Sequence, residues 1–294
     1  MAEHPAFEQD FGHWIGRSET LHDIASRSAA IGLAAVLERP IAPAAMDTTR
    51  VFPLGHWLQF TPTAPMSELG DDGHPELGGF MPPLDLPRRM WAGSRIDYHS
   101  PIVIGQHLER LSTIESITPK IGSSGRLCFV VLHHEISADG ELAVTDRQTI
   151  VYRDAVNVDP TSPSPRRPPR PDGPVPAGWD WSLARHPIET TLFRYSALTF
   201  NTHRIHYDLP YTTGVEGYPG LVVHGPLLAT YLMDGFLRAH PDAEVASFEF
   251  TARSPIFCGE QIHVAGRANG ENAEELAVIA PDGTAALTAR LTYR

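Results

Sequence analysis

Ser100-Pro101-Ile102-Val103-Ile104-Gly105-Gln106-His107-Leu108 and Ser254-Pro255-Ile256-Phe257-Cys258-Gly259-Glu260-Gln261-Ile262 are two forms of one phrase. Each runs Ser-Pro-Ile, two residues, Gly, two residues, then Leu or Ile. Strand-like runs follow each, then an Asp-Gly turn (Asp139-Gly140; Asp282-Gly283) and a closing Tyr-Arg (Tyr152-Arg153; Tyr293-Arg294). A shared tripeptide could be chance. An ordered series of landmarks predicts two copies of one α+β unit, each an antiparallel sheet with a helix against it.

Working outward, the first copy takes residues 1–153 and the second 179–294. Between them, 154–178 reads as an extended linker. The stretch from Asp159 to Pro176 carries eight prolines, too many for a helix or a central strand. Its Arg166, Arg167 and Arg170 read as a solvated face. In the first copy, residues 19–38 show apolar positions at roughly helical spacing, with Thr20 as the cap. Residues 52–93 are turn-rich, and so long a loop is usually functional or a cover. Strands are expected at Arg95–Tyr98, Leu108–Ile117, Leu127–Ile136 and Glu141–Tyr152. In the second copy, Leu192–Thr199 reads as a strand. Residues 225–239 read as a helix, with Pro226 where a first turn tolerates proline. Strands follow at Glu244–Ala252, Gln261–Gly266, Glu275–Ile279 and Ala285–Thr292.

Composition narrows the function. The chain has 294 residues, is 42% hydrophobic and carries a formal net charge of −12. That balance excludes broad nucleic-acid binding, which needs a basic footprint. A local arginine cluster can still hold a small anion. The two cysteines, Cys128 and Cys258, lack metal spacing and read as small buried hydrophobes. The N-terminus lacks the basic and apolar regions of a secretory signal, and no apolar run reaches membrane length. A cytoplasmic, membrane-free protein is expected.

Chemistry concentrates in the second copy, from Tyr195 to Leu227. His203, His206, His224, Asn201, Asp208 and Glu216 share that window, which ends at Gly225-Pro226, the mouth of the expected helix. A proton-transfer group beside a ready-made oxyanion site is what carbonyl chemistry needs. Only this copy carries the histidine window, so one half is expected to be active; the other, having lost chemistry and kept shape, is expected to build a wall of the substrate pocket.

Asn201-Thr202-His203-Arg204-Ile205-His206 resembles the MaoC-like hydratase signature, and its Thr-Phe-Asn-x-His-Arg-Ile-His form resembles the hydroxyacyl-thioester dehydratase group. His206 falls where that family has its catalytic histidine. Asn201 falls where it has an aspartate, and His203-Arg204 replaces Asn-Pro. In the first copy, Gly-His-Trp-Leu, Asp-Gly-His-Pro and Leu-Pro-Arg-Arg-Met-Trp-Ala-Gly look like segments of mesaconyl-C4-CoA (3-methylfumaryl-CoA) hydratases, whose neighbours act on itaconyl-CoA. The resemblance implies a double hotdog fold with an acyl thioester bound between the halves. It implies hydration of a short, branched enoyl-CoA bearing a free carboxylate. Coenzyme A would be part of the substrate, with no separate cofactor; a homodimer of double-hotdog protomers is one candidate assembly, which the sequence leaves open.

The residues fit that chemistry. Hydrating an α,β-unsaturated thioester needs a base for water, an acid for the α-carbon and donors for the enolate-like oxygen. His206 can serve as base and acid in turn. Asn201 cannot accept a proton and would orient water. The Gly225 N–H, helped by the helix dipole, would be the oxyanion donor. Tyr195, His203, His224, Arg88, Arg89 and Trp91 are the expected substrate contacts. His203 could be a second catalytic group or a positioning one. Asp208 could orient the imidazole, stand in as a carboxylate, or only shape a turn; Glu216 could be an acid or a loop residue. Arg88 and Arg89 could read an acyl carboxylate, bind CoA phosphates or lie on the surface. His203, His206 and His224 could cluster, but this hydration needs no Lewis acid, so no metal is expected. The alternatives are a 3-hydroxyacyl-thioester dehydratase of fatty-acid synthesis, a thioesterase on the same fold, and a non-catalytic acyl-CoA-binding module. A thioesterase would want a helix-borne carboxylate, and Asp234 lies too deep in the helix.

Overall fold

The computed structural model describes residues 10–40, 49–122, 125–156, 158 and 166–294. The first half contributes β1 (Ser18–Ile24), α1 (Arg27–Val36), β2 (Arg88–Tyr98), β3 (His107–Gly122), β4 (Gly125–Ala138) and β5 (Glu141–Arg153). The second contributes β6 (Trp181–Arg185), α2 (Glu189–Thr199), α3 (Leu209–Gly214), α4 (Gly225–Ala239), β7 (Val245–Ala252), β8 (Ile262–Ala268), β9 (Ala273–Ile279) and β10 (Ala285–Tyr293). All ten strands join one sheet in the order β1-β3-β4-β5-β2-β7-β10-β9-β8-β6. Every neighbouring pair is antiparallel.

The repeated phrase does the same work twice. Gly105 and Gly259 take φ of +93° and +82°, a left-handed turn that favours glycine. Their N–H groups donate to Ala25 and Pro187, the residues just ahead of α1 and α2. Ser100 and Ser254 donate in the same way to Ala143 and Ala286. The halves meet edge to edge where β2 pairs with β7. Arg95 lies opposite Glu249 there, and Arg95 stands to Glu249 in the repeat as Ser100 stands to Ser254. A residue paired with its own counterpart marks a pseudo-twofold axis. On the other side of the axis α1 packs on α2, so close that a Cβ on Gly32 would lie 2.4 Å from the Leu198 side chain.

The symmetry fails at one element. In the second half Val223 donates to Ile256 and α4 begins two residues on. Every residue of α4 from Leu227 to Phe236 is buried, as in a helix enclosed on all sides. In the first half Val51 makes the matching bond to Ile102, but no long helix follows. A single 3₁₀ turn, Gly55–Leu58, takes its place. Pro53 and the left-handed residues Leu54 (φ +74°) and Phe60 (φ +53°) prevent helical propagation. The expected helix against each sheet is therefore present in long form only in the second half.

Three sequence expectations are corrected. Residues 19–38 are not one helix. Their first part is β1, paired with β3, and the helix begins after Ser26, whose hydroxyl accepts from the Ala29 N–H. Thr20 lies inside β1 and caps nothing. Leu192–Thr199 belongs to α2 rather than to a strand; its N-cap, Ile188, offers no side-chain cap for a reader to find. Arg170 is not a solvated face: it clamps the buried Glu260 at 2.7 Å and Asp282 at 2.6 Å, strapping the proline-rich segment onto the second half. Residues 159–165 of that segment lie outside the described residues. Cys128 is buried, and Cys258 is partly so. Among the described residues, no helix is long and apolar enough to cross a membrane.

The β2–β7 seam depends on one missing side chain. A Cβ on Gly93 would stand 2.3 Å from the Phe250 carbonyl oxygen, which is backbone and cannot move aside. Gly93→Ala should therefore destabilise the protein by ~1–3 kcal/mol, the usual cost of overpacking. Gly214→Ala, where a Cβ meets nothing within 4 Å, should be close to neutral. Urea-denaturation midpoints of the two variants check this.

Candidate active site

The histidine window is held in place by the repeat. Val222 bridges to Phe257, inside the second copy of the phrase, and its N–H donates to Ile205 at 2.9 Å. That bracket brings the Val222 carbonyl 2.7 Å from Nδ1 of His206. A carbonyl only accepts, so Nδ1 carries the proton and Nε2 keeps its lone pair. The His206 ring stacks on His224, with centroids 3.6 Å apart. His224 is the N-cap of α4 and lies 2.8 Å from the Ser196 hydroxyl through Nε2. Gly225, the first helical residue, has an N–H that no turn of α4 can use.

Asn201 follows the left-handed Phe200 (φ +49°) that ends α2. Its Oδ1 accepts the His203 N–H at 2.9 Å, an Asx turn that fixes the carboxamide. The carbonyl oxygen is thus used, and Nδ2 remains as a donor. Asp208 has local duties: it caps α3 through the Tyr211 N–H at 3.0 Å and pairs with Arg204 at 2.7 Å. Glu216 is buried against Arg88 at 2.6 Å. Asp234 is held by Arg39, Arg185 and Arg238 and belongs to the structural core of α4. None of these three carboxylates lines the cavity.

The cavity has a volume of about 680 Å³ and is walled by both halves. Tyr195, Asn201, His203, His206 and Gly225 come from the second half; His74, Arg88, Arg89 and Trp91 come from the first. Of the expected contacts, only His224 is not in the wall; it stands behind His206. Trp57, Trp91 and Phe250 form an aromatic cluster across the seam, the two indoles 4.8 Å apart. The charge of Arg88 is already answered by Glu216, and its guanidinium lies over the Tyr218 ring. Arg89 forms no ion pair among the described residues.

One part of the wall is not foreseen from sequence. A first-half loop carrying Asp72-Gly73-His74 docks on the Asn201–His206 loop. Thr202 Oγ donates to the Gly73 carbonyl, Arg204 N–H to the Asp72 carbonyl at 2.9 Å, and Arg204 Nη1 to the Asp71 carbonyl at 2.9 Å. Gly73 has a φ of +88°, and a Cβ there would sit 2.0 Å from the Thr202 oxygen. His74 Nδ1 lies 2.8 Å from the Asp72 carboxylate, and its ring is 4.4 Å from that of His203. The only trace in the sequence is the Asp-Gly-His-Pro turn. Asp72, His74 and His203 offer ligand atoms within 4.8 Å of one another, with the positive charge of Arg89 bearing on all three.

Burial keeps these imidazoles neutral. His206 is pushed down to about 4 by desolvation, against the Val222 carbonyl, which favours the charged form. His74 is also pushed down to about 4, by desolvation and by Arg89, with Asp72 opposing. His203 and His224 are held well below the usual range by burial and by neighbouring histidines. Burial would raise Asp72, but the hydrogen bonds from the His74 ring and backbone, with the charge of Arg89 nearby, outweigh that and hold it below the ordinary carboxylate value.

A family profile described as hydroxyacyl-thioester dehydratase type 2 matches residues 54–258. The chain is 43% identical over 280 residues to the mesaconyl-C(4)-CoA hydratase of Chloroflexus aurantiacus, covering 95% of this chain and 96% of that one. This chain belongs to the hydroxyacyl-thioester dehydratase type 2 family. It is 28% identical over 254 residues to the mitochondrial hydroxyacyl-thioester dehydratase type 2 of Schizosaccharomyces pombe, covering 76% and 81% of the two chains. Among solved structures, HtdX of Mycobacterium tuberculosis superposes with a TM-score of 0.66 at 17% identity, over 95% of this chain and 100% of that one. A second M. tuberculosis protein, described as a double hotdog, gives 0.56 at 12%, over 95% and 96%. The fold is therefore the α+β double hotdog, here with its long helix in one half only.

The neutral imidazoles make stability pH-dependent. In the unfolded chain each histidine protonates near its ordinary pH of about 6.5. Folded His74 and His206 resist protonation until about 4. Between those values the unfolded state binds more protons, so stability must fall as pH drops. For His206 alone the full effect is of order 3 kcal/mol. Urea midpoints should be highest near neutrality and decline steeply from pH 6.5 to 4. Imidazole NMR signals of these residues should not titrate above about pH 5.

Proposed function

We propose that this protein reversibly adds water to a short, branched enoyl-CoA bearing a free carboxylate, of the mesaconyl-C4-CoA or itaconyl-CoA kind. The observation that carries the reading is the near full-length likeness to the C. aurantiacus hydratase, at 43% identity. In this reading the thioester carbonyl accepts from the Gly225 N–H at the start of α4, where the helix dipole favours the growing negative charge. Water lies at the Nε2 edge of the His206 ring, whose face is stacked on His224. Its oxygen bonds to the β-carbon while one proton passes to His206 Nε2. The π electrons move to the α-carbon and the thioester oxygen. His206 then returns a proton to the α-carbon and is neutral again. The neutral resting state of His206 suits a base that must be ready at physiological pH. Asn201 steers the water through Nδ2 and transfers no proton. No cofactor takes part, because coenzyme A arrives with the substrate.

His206→Ala should lower kcat by ~10²–10⁴, the usual worth of general acid–base catalysis. The assay is loss of the conjugated thioester absorbance against a panel of enoyl-CoAs. Activity within about threefold of wild type would overturn His206 as the acid–base group; thioester binding by a wild type that turns over none of the panel would favour a non-catalytic acyl-CoA-binding module instead.

Arg89 is the cation to read the acyl carboxylate. Arg88 is occupied by Glu216, whereas Arg89 faces the cavity without an ion pair among the described residues. Arg89→Ala should reduce kcat/KM for mesaconyl-C4-CoA by ~10²-fold or more and for crotonyl-CoA only a few-fold, since only the first leaves a buried charge unpaired. Equal losses would assign Arg89 to the CoA portion and weaken the carboxylated-substrate reading.

A further inference from the structure

The family position that carries an acid here carries Asn201, and an amide cannot take a proton from water. An attacking water has two O–H bonds. One proton goes to His206; the other stays on oxygen and needs an acceptor beside the buried His203 and His206, where an unmet donor is costly. The second half offers no carboxylate for this. Asp208 caps α3, Glu216 pairs with Arg88 and Asp234 is engaged by three arginines.

The first half does offer a group. His74 lines the cavity with Asp72 at its back, 2.8 Å from Nδ1. That bond fixes the tautomer: the proton is on Nδ1, and Nε2 is a bare acceptor. The ring lies 4.4 Å from His203, which in turn lies 5.4 Å from His206. The loop cannot drift, because three hydrogen bonds and the close approach of Gly73 to Thr202 bolt it to the Asn201–His206 loop. We propose that His74, positioned by Asp72, is a second catalytic histidine, which accepts the hydrogen bond of the retained O–H of the attacking water and so supplies from the first half what Asn201 cannot. His206 still takes the transferred proton, and no further co-reactant is required. A divalent cation between Asp72, His74 and His203 is the competing use of the same side chains. The charge of Arg89 on all three opposes it.

The inference rests on the hydratase reading, and the experiment separates the two. The full-length protein is assayed with mesaconyl-C4-CoA and crotonyl-CoA as wild type, His74→Ala, Asp72→Asn, Asn201→Asp and the double variant His74→Ala/Asn201→Asp, with thermal melting of each. His74→Ala should lower kcat ~10²-fold on whichever enoyl-CoA the wild type turns over, within the range for a lost acid–base contact, while KM moves less than about threefold. Asp72→Asn should lose about tenfold in kcat, because the amide oxygen still receives Nδ1–H but carries no charge. Restoring a carboxylate at position 201 should recover about tenfold or more in the double variant, an effect that a merely structural His74 would not give. A folded His74→Ala with near wild-type kcat, a loss confined to KM, or a folded double variant without recovery would each overturn the proposal. So would stoichiometric metal in the purified protein together with chelator-sensitive activity, which would make the cluster a metal centre. If wild type hydrates crotonyl-CoA but no carboxylated thioester, the substrate reading fails while the role of His74 is still decided.

Discussion

The structure depends on the antiparallel contact between β2 and β7. Each half on its own is a five-stranded sheet with one free inner edge, and an exposed strand edge invites pairing. Here the two inner edges satisfy each other, and the sheet runs on through ten strands. The contact is intimate because Gly93 lets the Phe250 carbonyl approach. It also sets the cavity. β2 enters the seam directly after Arg88, Arg89 and Trp91, so the first half's contribution to the wall is fixed by the same backbone that joins the halves. α1 against α2 and the Arg39–Asp234 ion pair tie the halves at other points.

The asymmetry between the halves is what makes room. α4 fills the second half with apolar side chains from Leu227 to Phe236, and the sheet beneath it is correspondingly apolar. Where the first half lacks that helix, its sheet presents Ser112, His134 and Asp146 in one cross-strand row. Trp57 and Gln148 both donate to the fully buried Asp146 carboxylate at 2.8 Å. Both bonds fall on Oδ2, and the Ser112 hydroxyl meets His134 Nδ1 at 2.8 Å, while the buried Asp146 Oδ1 has no hydrogen-bond partner among the described residues. The chain freed by losing the helix becomes the irregular segment that brings Asp72 and His74 to the other half.

How far the sequence foretells this follows from the range of each interaction. The repeat is legible because its glycines are demanded locally, by left-handed turns at Gly105, Gly140, Gly259 and Gly283. α4 is legible because its stripe and its proline are local too. β1 is not, because Leu21 and Ile24 sit at helical spacing, and only pairing with β3 makes them a strand. α2 is not, because its start lacks a side-chain cap and its residues suit either state. The histidine loop can be found from its own residues. His74 cannot, because its value comes from docking across the seam, through contacts more than a hundred residues apart in the chain. Nor can the pairing of Arg88 with Glu216, which separates it from its neighbour Arg89.

The loop carrying Gly73 has a consequence for the history of such a chain. Two identical hotdog units can pair in either order and can be exchanged between copies. Once one unit has given up its long helix and sends a loop into the other's cavity, the units are no longer interchangeable. A pair of first halves would have no Asn201–His206 loop, and a pair of second halves would have no Asp72–His74 and no space. Complementary losses of this kind run in one direction. They select for keeping both units on a single polypeptide, because a freely assorting pair would be mismatched in half or more of its combinations.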